Sequence, residues 1–195
     1  KVVVSLTSFP ARIDKVYYAI KSLMLQSYKA DRIVLWLAAS QFPNEKVPPK
    51  IKDLTQKGLT IRFCDDLRSH KKYFYQLQEQ KENEVVITYD DDIIYEYDSI
   101  EKLIVEHKKF PQSIICNRAQ EMVFDEVKHL MPYKRWKVCS PLGVKKPEMN
   151  LMPSTGNGCL YPFNCMPKIT FDWEIIKDNA LTADDIWMRF CSYSN

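Results

Sequence analysis

The sequence predicts an α/β fold in which a mostly parallel sheet carries helices on both faces, with a small antiparallel patch beside it. Two observations indicate this fold. Short apolar, β-branched runs alternate with helical patterns through the first 117 residues, and this alternation is typical of parallel sheets. Hydrophobic residues make up 46% of the 195 residues and charged residues 27%, which is enough for a buried core. We therefore expect one domain spanning residues 1–195.

The predicted strands are short and rich in Val, Ile and Leu, as expected for strands buried on both faces. In chain order they lie at residues 2–6, 32–37, 59–64, 84–89 and 113–117. Residues 43–49 are predicted to form a loop, because two prolines close together oppose regular structure. From residue 122 to residue 164 no clear period is present, and we expect the antiparallel patch and loops there.

The predicted helices share apolar residues spaced three and four apart. They lie at residues 14–27, 49–57, 73–80, 99–108 and from residue 182 onward. Asp14 and Ser99 are expected to cap the first and fourth of these helices, because short polar side chains at an N-terminus accept hydrogen bonds from free backbone N–H groups. Gly58 is expected to end the second helix.

Composition excludes several classes of protein. A net charge of +3 gives no indication of a nucleic-acid partner, and the longest apolar stretch, residues 33–39, is too short to span a membrane. No signal peptide is recognisable, and a start at Lys1 with an apolar run directly behind it indicates a piece of a longer chain. Four glycines in the whole chain cannot form a P-loop or a Rossmann fingerprint.

The six cysteines form no CxxC pair, and the three histidines have no metal-ligand spacing. Most of the cysteines lie in apolar surroundings. This pattern predicts reduced, buried thiols in a cytosolic protein rather than a disulfide framework or a zinc site.

Residues 85–95, VVITYDDDIIY, carry the main chemical signal, because a predicted strand ends in three aspartates. In open α/β sheets, ligands bind beyond the carboxyl ends of the strands. Side chains alternate along an extended chain, so Asp90 and Asp92 point one way and Asp91 the other. Two carboxylates there form a partial site for Mg²⁺ or Mn²⁺, and a bound cation would also relieve their repulsion. A solvated acidic turn is less consistent with the apolar residues on both flanks.

The triplet alone is compatible with two enzyme classes. Haloacid-dehalogenase-like phosphatases begin with an apolar strand and a D-x-D motif whose first aspartate is the nucleophile, and residues 90–94 match it loosely. That motif normally lies on the first strand, however, and three predicted strands precede it here. The second class is the glycosyltransferases.

Two further segments favour the second class. VVSLTSFPAR at residues 3–12 looks like a first strand and the loop that holds a nucleotide base and ribose, and TADDIW at residues 182–187 looks like a late acidic pair at a helix start. With the DxD-like triplet between them, the whole chain resembles a GT-A-fold glycosyltransferase of the nucleotide-diphospho-sugar transferase superfamily, of the type that builds bacterial surface polysaccharides. The resemblance implies that residues 1–117 bind the nucleotide sugar and residues 118–195 the acceptor.

The resemblance further implies a metal-dependent, inverting transfer from a nucleotide-diphosphate sugar, with a UDP-sugar favoured, to a hydroxyl of a glycan or a lipid-linked acceptor. Asp92 would be the direct metal ligand, and Asp90 would lie near the ribose or a metal-bound water. The metal would be Mn²⁺ or Mg²⁺. Asp185 matches the second acid of the family's pair and would be the base. The family often has Glu where this chain has Asp184, so Asp184 is the second choice. Asp185 three residues after Thr182 also matches a capping box.

The resemblance also supplies a set of candidate nucleotide-sugar-binding residues: Ser5, Thr7, Arg12, Arg68, Lys72, Asp90, Asp91, Gly156 and Gly158. Ordinary alternatives exist for several of them. Arg12 could be an exposed loop arginine, Arg68 and Lys72 could form the solvated start of a helix, and the two glycines could form a simple turn.

Three rivals to the transferase remain from the sequence. They are the phosphatase, a nucleotidyltransferase, which would need a glycine-rich loop that residues 5–12 lack, and a non-catalytic sugar-nucleotide-binding domain. We expect the protein in the cytoplasm or at the inner face of a membrane, with peripheral contact to it. The cations around Trp136 suit a lipid diphosphate, although Trp136 as core is the more ordinary interpretation.

Overall fold

The computed structural model describes residues 1–139 and 146–193. Its strands are, in chain order, β1 (Val2–Thr7), β2 (Arg32–Ala38), β3 (Leu59–Cys64), β4 (Val85–Tyr89), β5 (Ile115–Cys116), β6 (Ala119–Glu121), β7 (Lys137–Val138), β8 (Leu151–Pro153) and β9 (Asn157–Tyr161). Its α-helices are α1 (Val16–Met24), α2 (Pro49–Lys52), α3 (Lys71–Gln78), α4 (Ser99–Lys109), α5 (Trp173–Asn179) and α6 (Asp184–Ser192). Short 3₁₀ turns lie at Ala39–Gln41, Pro43–Glu45, Asp53–Lys57, Arg68–His70, Tyr133–Arg135 and Lys168–Phe171.

Six strands form the main sheet in the order β3-β2-β1-β4-β9-β5. The pairs β3–β2, β2–β1 and β1–β4 are parallel, whereas β9 pairs antiparallel with both β4 and β5. The strands β7, β6 and β8 form a separate antiparallel sheet. The predicted fold class, a mostly parallel sheet with a small antiparallel patch, is confirmed.

Alternate residues of the strands face two different cores, which explains why β1 reads as a continuous apolar run. On one face, Val4, Leu35 and Ile87 pack with Ile20 of α1 and Leu103 of α4. The opposite face is covered by α3, α5 and α6. Its core members are Val3, Val34, Trp36, Val86, Tyr73, Cys159, Tyr161, Ile176, Trp187 and Met188.

Three predicted helix caps are wrong, and two of the side chains, those of Asp14 and Ser99, have a more distant partner. α1 begins two residues after Asp14, whose carboxylate pairs with Lys50 Nζ at 2.9 Å. Ser99 is the first residue of α4, and its hydroxyl lies 2.9 Å from that of Tyr89. α6 begins at Asp184 with Ala183 as N-cap, so the capping box from Thr182 does not form.

The remaining boundaries differ in smaller ways. The third helix begins at Lys71, two residues earlier than predicted, and therefore contains Lys72 in its first turn. The predicted strand at residues 113–117 shrinks to β5, which lies at the outer edge of the sheet and pairs only with β9. Gly58 ends the 3₁₀ turn after α2 with a φ of 101°, as its position predicted.

The structure contains no disulfide among the six cysteines, all of which lie in the described residues. Cys159 and Cys191 are buried, and the other four are half-buried, so the prediction of buried thiols holds for two of them. Among the described residues, no helix combines the length and the apolar character that crossing a membrane requires.

Gly158 in β9 tests how tightly this end of the sheet is packed. Its φ is 93°, and an added Cβ would lie 2.6 Å from Asn117 Nδ2 and 2.9 Å from a ring carbon of Tyr89. We expect Gly158→Ala to lower the free energy of unfolding by about 3 kcal/mol, from backbone strain and overpacking together. Urea unfolding followed by circular dichroism measures the change.

Gly58→Ala is the matched control, because Gly58 has the same sign of φ but no atom within 4 Å of an added Cβ. Gly58→Ala should lower the free energy of unfolding by only about 1 kcal/mol, from backbone strain alone. Equal losses in the two variants would contradict the close packing around Gly158.

Candidate active site

The candidate site lies where β1 and β4 end, and three other segments meet them there. These are the first turn of α3, the turn at residues 154–156 between β8 and β9, and the start of α6. β1 and β4 are parallel neighbours in the centre of the sheet, so their carboxyl ends open at the same edge. This placement brings together most of the residues that the sequence singled out.

Asp91 is the buried member of the aspartate triplet and joins β4 to the loop after β1. Its Oδ2 accepts a hydrogen bond from the Ser8 hydroxyl at 2.6 Å, and its Oδ1 pairs with Arg12 Nη1 at 3.1 Å. Arg12 Nη1 also lies 2.9 Å from Asp92 Oδ2. Arg12 therefore forms ion pairs with two of the three aspartates and is more than an exposed loop arginine.

Asp90 is held close to the backbone of Gly156. Its backbone N–H lies 2.9 Å from the Gly156 carbonyl and 2.8 Å from the Tyr95 hydroxyl, which can itself donate to the Gly156 carbonyl at 2.8 Å. A Cβ on residue 156 would overlap the Asp90 carboxylate. Glycine at this position is thus required for the approach of the two segments.

Lys72 connects the aspartate triplet to the acidic pair of α6. Its Nζ lies 2.7 Å from Asp90 Oδ1 and 2.7 Å from Asp184 Oδ2, and its side chain is only 3% exposed. Burial would lower the pKa of Lys72, but the two carboxylates outweigh burial and raise it. The ammonium therefore stays charged, and it lies inside the site rather than at a solvated helix start.

The two acids of α6 have different surroundings. Asp184 Oδ2 lies 3.0 Å from the Thr155 hydroxyl as well as next to Lys72. Asp185 Oδ1 accepts from the Thr155 backbone N–H at 2.9 Å and contacts the Thr155 hydroxyl. The single hydroxyl proton can serve only one of the two carboxylates at a time. Asp185 Oδ2 accepts no hydrogen bond from any residue that the structure describes.

These surroundings move the two pKa values in opposite directions. Burial alone would raise the pKa of Asp184, but the charge and hydrogen bond of Lys72, with hydrogen bonds from Ser69 and Thr155, lower it to about 2. Burial raises the pKa of Asp185, and the negative charge of Asp184 raises it further. The pair thus contains one carboxylate that is firmly ionised and one that binds a proton more readily.

Four of the predicted binding residues contribute less directly. Ser5 is fully buried, and its hydroxyl donates to the Lys72 carbonyl at 2.5 Å, so it supports the start of α3. The Thr7 hydroxyl donates to the Trp36 carbonyl at 2.8 Å. Arg68 is exposed and pairs with Asp66 at 3.5 Å, outside the Lys72 network. Gly158 lies two residues after Gly156, in β9, and packs against Asn117.

Four residues that hold the site together were missed in the sequence: Ser8, Ser69, Tyr95 and Thr155. Tyr95 stands three residues after the triplet, and Thr155 directly precedes Gly156. Their proximity to the motifs was the only available signal. Apart from the contact of Tyr95 with Asp90, their partners are distant in sequence, so no local pattern identifies them.

Comparison with known proteins identifies the family. The model of the glycosyl transferase family 64 domain matches residues 2–142, well over half of the chain. The chain belongs to this family. The resemblance to a GT-A glycosyltransferase inferred from the sequence is thereby confirmed, and the chain is a family 64 glycosyl transferase domain. Curated protein sequences give no match.

Two solved structures share the GT-A fold of this family 64 domain. TarS 1–349 from S. aureus, in complex with UDP, aligns over 99% of the chain and 55% of its own length, with a TM-score of 0.57 and 12% identity. The synthase for 4-diphosphocytidyl-2C-methyl-D-erythritol from Anaerococcus prevotii DSM 20548 aligns over 97% and 83%, with a TM-score of 0.51 and 14% identity. At such identities the likeness shows the fold alone.

The carboxylates of the triplet suit a hard divalent cation as a partial site. Asp90 and Asp92 are 40% and 41% exposed, and their ligand atoms are carboxylate oxygens. Within residues 1–139 and 146–193, no group of three His, Cys, Asp or Glu side chains could hold a metal by itself. Mg²⁺ and Mn²⁺ often take one or two carboxylates and complete their coordination with substrate phosphates and water, and the donor set fits that mode.

Lys72→Met tests whether the buried ammonium holds the site of this family 64 domain together. The variant leaves Asp184 buried without its counter-charge, and we expect a loss of about 3 kcal/mol in the free energy of unfolding at pH 7. Burial should then raise the pKa of Asp184 above its value in the unfolded chain. As the pH falls, Asp184 therefore binds a proton in the folded variant before it does so in the unfolded chain. The difference in free energy of unfolding between the variant and the wild type should narrow as pH falls from 7 towards about 4.

Lys102→Met is the control, because Lys102 also contacts two carboxylates, of Glu96 and Asp98 at 2.7 and 2.8 Å, but is half exposed. Its loss should stay below about 1 kcal/mol. Urea titrations across the pH range measure both variants. A Lys72→Met variant as stable as Lys102→Met would contradict the role of the buried ammonium.

Proposed function

We propose that this family 64 domain transfers a sugar from a UDP-sugar to a hydroxyl of a glycan or lipid-linked acceptor, with inversion at the anomeric carbon and with Mn²⁺ or Mg²⁺ bound. The proposal is carried by one juxtaposition: the Lys72 ammonium brings Asp90 of the triplet and Asp184 of the acidic pair to the same edge of the sheet. Such an arrangement offers a cation site and a basic carboxylate close together. The UDP in the TarS structure supports the choice of nucleotide.

Asp92 and Asp90 would hold the cation, which when bound supplies neutralisation of the charge on the departing diphosphate. Arg12 and Lys72 are the nearest protein cations and would add positive charge to the same region. Lys72 already has two carboxylate partners, so a direct contact with a diphosphate would require it to exchange one of them. Ser8 and Arg12 fix Asp91, and Asp91 in turn fixes the path of the triplet.

Asp185 is our proposed base, and Asp184 is a positioning residue. A base must accept a proton from the attacking hydroxyl, and a carboxylate with a raised pKa does so more readily than one with a pKa of about 2. Asp185 also keeps one oxygen without a partner among the described residues, whereas Asp184 is committed to Lys72. Thr155 orients both acids through its backbone N–H and its hydroxyl.

Asp92→Asn tests the nucleotide and the metal together. Wild-type protein should gain about 2.7 kcal/mol of stability from UDP with Mn²⁺ at a hundred times the dissociation constant, visible as a higher melting temperature. GDP and CDP should give smaller shifts, and EDTA should remove the shift with UDP. The variant should lose most of the metal-dependent shift, because it keeps the shape of the ligand but not its charge.

Glu96→Gln is a suitable control, since Glu96 is an exposed acid whose ion pair is with Lys102. It should leave the UDP shift unchanged. A UDP shift of equal size in EDTA would contradict metal dependence. A shift with beryllofluoride and Mg²⁺ but with no nucleotide would favour the phosphatase.

Asp185→Asn tests the base. With the UDP-sugar that gives the largest thermal shift, the rate of UDP release should fall by about 10² to 10⁴ while the thermal shift is retained. In the wild type, the rate should fall as pH drops through the pKa of Asp185, which burial and the charge of Asp184 raise above its ordinary value. Asp184→Asn removes the neighbouring negative charge, so it should move this acid limb to lower pH.

Asp178→Asn, on the exposed side of α5, serves as the control and should change neither the rate nor the pH profile. If Asp184→Asn abolished turnover while Asp185→Asn retained it, the assignment of the two acids would be reversed.

A further inference from the structure

Residues 122–139, here termed the basic hairpin, leave the small sheet and return to it. β6 leads into the hairpin and β7 returns beside β6. Phe124 and Leu130 pair across it, and the Met131 N–H donates to the Val123 carbonyl at 2.8 Å. Trp136 Nε1 donates to the Met131 carbonyl at 2.8 Å and so folds the turn at residues 133–135 back onto the hairpin.

The basic hairpin exposes large apolar side chains. Phe124 and Leu130, which lie directly opposite each other and therefore on one face, are 45% and 50% exposed. Tyr133 is 65% exposed and lies 5.2 Å from the ring of Trp136. Val127 and Val138 are also largely exposed. Single exposed apolar residues need no explanation, but a group of them on one short protrusion does.

Cations lie among these apolar side chains. The basic hairpin contains four of them, Lys128, Lys134, Arg135 and Lys137, and two acids, Asp125 and Glu126. No carboxylate of the described residues forms an ion pair with any of the four cations. The Asp125 carboxylate accepts hydrogen bonds from the backbone N–H groups of Val127 and His129 and is thus used inside its own turn.

We propose that the basic hairpin binds the surface of a bilayer that contains anionic phospholipid. Exposed aromatic and aliphatic side chains enter the boundary between headgroups and acyl chains, while neighbouring cations bind the headgroups. Three of the cations lie within four residues, next to the exposed Tyr133 and the half-buried Trp136. The net charge of the basic hairpin, +2, is complementary to such a surface.

The position of the basic hairpin gives this contact a consequence for catalysis. β6 also pairs with β8, and β8 runs directly into Ser154 and Thr155 of the site. A membrane bound by the basic hairpin would therefore be connected to the site through the pairing of β6 with β8. The contact itself does not depend on the donor, so its failure and the failure of the proposed transfer can be told apart.

Vesicle co-sedimentation tests the proposal. The protein is mixed with vesicles of phosphatidylcholine alone or with about 30% phosphatidylglycerol, which gives an anionic surface. We expect binding only to the anionic vesicles, weakened by added salt because salt screens the attraction. The triple variant Lys134→Gln, Arg135→Gln, Lys137→Gln should bind about tenfold less tightly or worse. The double variant Phe124→Ser, Leu130→Ser should also bind less, with the salt dependence retained.

The control removes the same charge elsewhere, with Lys57→Gln, Lys81→Gln and Lys108→Gln, all exposed and outside the basic hairpin. It should bind anionic vesicles as the wild type does. All variants should keep the wild-type melting temperature and UDP shift, which shows that folding and the site are intact. Absence of wild-type binding to anionic vesicles, equal binding to neutral ones, or an equal loss in the control would overturn the proposal.

Discussion

The arrangement of the site depends on one buried ammonium group. Lys72 Nζ lies 2.7 Å from both Asp90 and Asp184, with almost no exposure to water. Removing a charge from water is costly, and the cost is recovered only when partners of opposite charge have good geometry. Two carboxylates from different parts of the chain provide that geometry. The same contact fixes the end of β4 relative to α6, so a site made of distant segments becomes one unit.

Several neighbouring residues position the segments that meet at Lys72. Ser5, in the centre of β1, donates to the Lys72 carbonyl and so places the first turn of α3 over the sheet. Gly156 provides space for the Asp90 carboxylate, and Tyr95 satisfies backbone groups of both segments. These residues are small or have a single polar atom that matches one partner. Their roles are therefore in positioning, and the charged groups that they position carry the chemistry.

The sheet could be predicted well from the sequence, because strands that are buried on both faces are continuous apolar runs, as in β1, β2 and β4. The prediction failed at Asp14 and Ser99, where a local capping pattern was present but another contact prevailed, and at Thr182, where α6 has Ala183 as its N-cap instead. In the site, the aspartate triplet and the acidic pair were visible as motifs. The burial of Lys72 was not, since an isolated Lys-Lys pair reads as a solvated helix start. Its partner Asp184 is more than a hundred positions away, and only the fold brings the two together.

The division between Asp184 and Asp185 follows from helix geometry. Consecutive residues of an α-helix point about 100° apart, so two adjacent acids face different neighbours even though both reach the Thr155 hydroxyl. Asp184 therefore meets Lys72, while Asp185 turns towards Thr155 and a small apolar cavity lined by Ile114, Tyr161 and Met188. The ammonium that lowers the pKa of the first acid leaves a negative charge beside the second, and that charge raises the pKa of the second. Lys72 thus makes Asp184 a permanent anchor, whereas burial together with the charge of Asp184 leaves Asp185 the better proton acceptor of the pair.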